Sequence, residues 1–232
     1  MYKHTMLTLA ALALSAVASA QIVNPGIHVD AYQVNYAANL NVGDSSVILT
    51  NTGQQGAFFG ATPTPTQGNI CVNVYTFDPQ EEEISCCACL VTPNGLNALS
   101  AKNDLINNTL TPAVPNSIVV KLVASQPGTT STGAFTICNP SSPIDALATF
   151  PYGAGPSAKG SIAAGMRAWM NTLEPNSTSA TYGVVHGAFL PSYLGAAELG
   201  ALTSVCNFNQ TNGTGYGICG SCQTGALSGQ KN

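Results

Sequence analysis

Eight cysteines, Cys71, Cys86, Cys87, Cys89, Cys138, Cys206, Cys219 and Cys222, carry the clearest chemical potential in this 232-residue chain. Thiols so spaced can cross-link, ligate a metal or cycle electrons. Cys86-Cys87-x-Cys89 and Cys219-x-x-Cys222 offer thiolates at zinc-ligand spacing. Cys219-Gly220-Ser221-Cys222 also has the spacing of a thioredoxin-like dithiol, which needs a strand before it and a helix after it. Its flanks, Gly215-Tyr216-Gly217 and Gln223-Thr224-Gly225, read as loop instead. An even cysteine count in an exported chain favours up to four disulfides, with 105 connectivities open.

Other reactive groups are sparse. His28 and Asp30 stand at i and i+2, on one face of an extended segment, and with His186 and a serine could assemble a hydrolase triad. No Gly-x-Ser-x-Gly elbow supports that chemistry. Asp78, Glu81, Glu82 and Glu83 crowd one turn and could supply oxygen ligands to Ca²⁺; a solvated acidic tip explains them as well. No other cofactor is expected. Gly215, Gly217 and Gly220 match Gly-x-Gly-x-x-Gly formally, without the strand–helix setting a nucleotide site needs. The four Asn-x-Ser/Thr sequons, at Asn107, Asn176, Asn209 and Asn212, follow from an Asn- and Thr-rich composition.

The elements that must position these groups begin after residue 20. Lys3 and His4, the uncharged apolar run Met6–Val17 and Ala18-Ser19-Ala20 form the pattern of a secretory signal peptide, cut before Gln21. The run is too short for a comfortable membrane span, and no transmembrane segment is expected after cleavage. Charged residues make up 7% of the chain and the net charge is −4, so no basic patch exists to bind nucleic acid through its phosphates. A neutral polar surface repels its neighbours weakly and permits self-association.

Strand-like runs recur at Ala31–Tyr36, Ser45–Thr50, Ile70–Phe77, Ile84–Val91, Ser117–Val123, Gly133–Cys138 and Thr181–His186, while Met166–Leu173 fits strand or helix. Long Gly/Pro/Ser/Thr/Asn-rich connections separate them. If Phe77 faces Ile84 across the turn, Cys71 faces Leu90; a one-residue adjustment would oppose it to Cys89, and a further shift to Cys87. Alternation places Cys87 and Cys89 on one face and Cys86 on the other, so Cys86 should reach Cys138 or the C-terminal trio. One helix starts at Gly195 as N-cap with Glu198 at N3, a staple of Leu194 on Leu199, and an apolar face of Leu199, Leu202 and Val205 or Cys206.

The segments Gly68–Tyr75, Ser85–Cys89 and Thr92–Leu96, with the tail Gly215–Cys222, together resemble a group of uncharacterised cysteine-rich exported proteins of environmental bacteria. The resemblance implies an extracellular compartment and a cysteine framework, and no activity.

The expected architecture is therefore mainly β: an Ig-like antiparallel β-sandwich with long loops and one short C-terminal helix, stapled by disulfides. Residues 21–190 should form the sandwich, with the helix and Cys-rich tail of 191–232 packed on it. The expected function is a secreted or cell-surface non-enzymatic protein, a surface, matrix or fibre component or an adhesin, whose partners are copies of itself or extracellular glycans and proteins. One alternative is a glycan- or ligand-binding module using Trp169, Tyr152 or Tyr216; another is a secreted hydrolase using His28 or His186.

Overall fold

The computed structural model describes residues 30–54, 68–132, 134–142, 144–145 and 160–225. The signal segment, His28 and Tyr152 lie outside the described residues.

The chain is mainly β, in two antiparallel five-stranded sheets. Its strands are β1 (Tyr32–Ala37), β2 (Ser46–Asn51), β3 (Ile70–Phe77), β4 (Glu83–Val91), β5 (Leu96–Ser100), β6 (Ile118–Ser125), β7 (Gly128–Thr129), β8 (Phe135–Ile137), β9 (Ile144–Asp145), β10 (Gly160–Ser161), β11 (Met166–Pro175), β12 (Tyr182–Ala188), β13 (Leu190–Pro191) and β14 (Gln223–Thr224). The first sheet runs β13-β1-β6-β3-β4 and the second β12-β11-β2-β5-β14. β7–β8 and β9–β10 form minor ribbons. The segment Met166–Leu173, open between helix and strand, is strand. Alternation decides it: Met166, Ala168, Met170 and Thr172 are buried while Arg167, Trp169, Asn171 and Leu173 face outward.

Val72, Val74, Ile84 and Leu122 of the first sheet meet Val47, Leu49, Leu99, Met166 and Met170 of the second in one buried core, so the two sheets form a sandwich. Every residue of β3 except Phe77 is buried, which requires cover on both faces. The outer cover is helix α1 (Ala196–Thr211). Its Leu199, Leu202 and Cys206 pack with Leu194, Tyr32, Tyr75, Cys86 and Val123 in a second cluster. Gly195 caps the helix through its extended backbone, without a side-chain bond, and Leu194 and Leu199 share the cluster as the staple pattern predicts. Val205 is 38% exposed, so Cys206 is the residue that completes the apolar face.

Four disulfides link Cys71–Cys138, Cys86–Cys206, Cys87–Cys219 and Cys89–Cys222, with Cα separations of 5.3–5.8 Å. The expected contrast between faces is present: Cys87 and Cys89 lie in the inter-sheet core and Cys86 under the helix. The opposition of Cys71 to Cys89 or Cys87 is corrected. Cys71 stands across from Leu90 and joins Cys138. A one-residue slip moves a side chain to the opposite face of the sheet, and β3–β4 keeps its unslipped register up to a bulge beside Phe77.

The two-residue strands, among them β14 at Gln223–Thr224 where the sequence reads as loop, carried no sequence signal, and neither did two longer elements. β5, Leu96-Asn97-Ala98-Leu99-Ser100, is short and half polar. The single π-helical turn Ala101–Leu105 follows it, capped by the Ser100 hydroxyl on the Asn103 N–H, while Asp104 Oδ2 accepts the Ser100 N–H at 2.6 Å.

Candidate functional site

Among the described residues, the edge at β4 is covered, while β13, β12 and β14 each end a sheet. The free side of β4 is covered by the tail, where the Cys86 N–H donates to Gly217 O and the Cys219 N–H to Cys86 O, and by Leu110 N–H on Ile84 O. β14 lies on β5, and β13 on β1. Asn35 Nδ2 reaches Ala188 O, and Asn39 Nδ2 reaches Leu173 O, tying β1 to the second sheet.

β12 is the longest of these ends, at 7 residues, and among the described residues it pairs with β11 alone. Phe189 N–H donates to Ala168 O and Asn176 N–H to Thr181 O, so the odd-numbered residues of this strand bond to β11 and the even-numbered ones point their backbone groups away. Tyr182, Val184 and His186 therefore present N–H and C=O groups outward that pair with nothing among the described residues. The strand is exposed along almost all its length, with Val184 70% and Val185 48% exposed. No Asp, Glu, Lys or Arg occurs between Pro175 and Ala197, and β12 has no proline and no bulge; those are the usual devices that blunt an edge.

Beside this edge the outer face of the second sheet holds Trp169, half-buried. His186 lies nearly parallel to its indole, at 14° with centroids 6.5 Å apart, and is itself held by Asn171 at 2.7 Å. Trp169 forms one wall of a pocket of about 260 Å³ with Ala188 and Pro191; Arg167, Asp30 and Gln33 complete it. Arg167 Nη1 donates to Asp30 Oδ2 at 2.8 Å and to Met166 O. Gln33 Nε2 donates to Asp30 O and Met166 O, fixing the pocket floor.

A third cluster lies under α1. Glu83 is 6% exposed and both its carboxylate oxygens lack a hydrogen-bond partner among the described residues. Burial pushes its carboxyl up to about 8; Lys121 pulls it down and Glu198 pushes it further up. Lys121 pairs with Glu198 and rests on the Phe77 ring, so its ammonium is already engaged. Burial and Glu198 raise Tyr32 to about 12, and burial raises Tyr75 further.

The expected sites are thus distributed as follows. The Ca²⁺ candidates are not one set: Glu81 and Glu82 are exposed, Asp78 Oδ1 accepts the Gln80 and Glu82 N–H groups of its own turn, and Glu83 is turned inward under α1. Glu83 approaches Cys86 and Cys206 within 4.8 Å, but these sulfurs form a disulfide and leave no thiolate for a metal. All eight cysteines are paired. His186 faces Asn171 and Trp169 rather than a carboxylate and a serine, so no triad is built around it among the described residues. Gly217 and Gly220 serve close packing: a Cβ on Gly220 would stand 2.7 Å from Asp104 Oδ1, and Gly217 has φ 81° with Asn209 at 3.0 Å. Among the described residues, no helix is long and apolar enough to cross a membrane.

No protein-family model, curated protein or solved structure matches the chain.

Proposed function

We propose that the chain is a non-enzymatic extracellular protein, a component of a surface, matrix or fibre, which associates with copies of itself across the open edge of β12. The observation that carries this reading is the row of outward backbone groups at Tyr182, Val184 and His186 on an uncharged, unbulged strand. Four disulfides suit an oxidising compartment, as does the N-terminal export pattern. Two β12 strands meeting antiparallel would join two five-stranded sheets into one of ten strands, with a two-fold axis at the seam.

Sedimentation together with electron microscopy of the secreted protein tests it. Val184→Pro removes an outward N–H that β11 does not use, so it should leave the fold intact and abolish association. Val185→Pro removes a ladder donor and should destabilise the sheet instead. A wild-type protein that stays monomeric at every accessible concentration sinks the proposal, and so does undiminished association of Val184→Pro.

A further inference from the structure

We propose that the pocket beside Trp169, at the end of β12, binds a neutral sugar ring.

Three features define the ligand. The first is size. At about 260 Å³ the pocket falls just under the range of about 300–1,000 Å³ that takes drug-sized ligands; one pyranose ring with a neighbour left outside suits it. The second is the wall. The half-buried indole of Trp169, with Ala188 and Pro191, gives an apolar surface for the C–H face of a sugar. His186, parallel to the indole and held by Asn171, fixes the ring's orientation before any ligand arrives. Preorganisation of this kind lowers the ordering cost of binding.

The third feature is charge. Arg167 and Asp30 stand side by side, with the Arg167 side chain 48% exposed and that of Asp30 14% exposed. Their charges cancel, so the pocket has no net attraction for an anion. What remains is a fork of N–H donors next to an acceptor oxygen. Adjacent hydroxyl groups of a sugar each donate and accept, and they match such a pair. A wholly apolar ligand would strip water from the exposed N–H groups of Arg167 without replacing it, which is costly.

Trp169 is the chain's one tryptophan, so its emission reports on this site directly. The probes are hexasaccharides of glucose, mannose, galactose and N-acetylglucosamine, with an oligogalacturonate as the anionic counterpart. At least one neutral probe should shift the emission saturably, with a dissociation constant at or below about 1 mM. Arg167→Ala should weaken that binding about tenfold or more, in keeping with loss of a charged hydrogen-bond donor; the side chain is half-exposed, so the variant should fold, as far-ultraviolet dichroism would verify. Arg167→Lys, which keeps the charge and loses the fork, should bind less well than wild type. The proposal is overturned if no neutral probe gives a saturable shift, if Arg167→Ala binds as wild type does, or if the oligogalacturonate binds more tightly than every neutral sugar.

Discussion

Glu83 shows how one residue can set the pH behaviour of the molecule. Its carboxyl titrates at about 8 in the fold and near 4.3 in an unfolded chain. The folded state therefore holds a proton that the unfolded state has already lost. The stability that Glu83 contributes is fully present below about pH 4, declines as pH rises through the interval from about 4.3 to 8, and is lost above it; the slope at full effect is about 1.4 kcal/mol per pH unit. Glu83→Gln keeps the shape and removes the titration. Its urea midpoint should vary less between pH 5 and 9 than that of wild type, and at pH 9 it should exceed wild type. Equal slopes for the two proteins would refute this role. The sequence presented Glu83 as the last of four acids in one turn, and nothing local distinguishes it from Glu82. The bulge beside Phe77, which turns it under the helix, depends on the partner strand. Trp169 could be named from the sequence as a residue for a sheet face. Its setting could not, because Arg167 meets Asp30 across 137 positions of chain.

At the scale of elements, α1 is held twice, by apolar burial and by the Cys86–Cys206 bridge. That bridge spans 120 residues, but Cys87–Cys219 already joins the same regions, so it newly closes only a short loop and contributes about 3 kcal/mol in the chain-entropy account. Replacing both cysteines with serine should lower the melting temperature by roughly 6–12 °C. The amides of Ala196–Thr211 should then exchange earlier than those of β3 or β6, because the helix has lost its covalent tie. If helix and sheet still open together, apolar packing alone couples them. Most strands were legible through alternating burial and β-branched runs, because period two is a local property. β5 was not, since Leu96–Ser100 becomes a strand through β2 on one side and the tail on the other. The partners of the cysteines were equally hidden. Which face each one occupied could be read from β4 itself, whereas the identity of the chain on that face could not.

For the whole molecule, complete reduction should raise the intact mass by about eight hydrogens, in keeping with eight cysteines all paired; free thiols in the secreted protein would contradict the framework. The framework also governs how the molecule would bear tension. A pull on its two ends need not run along the whole backbone. Within the bridged region it passes from Cys71 along β3 and β4 as far as Cys89 and crosses the bridge to Cys222, bypassing a sequence separation of 133 residues. At about 3.4 Å per extended residue, roughly 450 Å of slack stays locked away. Under load in an oxidising medium only the segments outside the bridges, chiefly the chain before Cys71, should draw out, and in a reducing one the locked length should be released as well, a contrast that single-molecule stretching with and without reductant would measure.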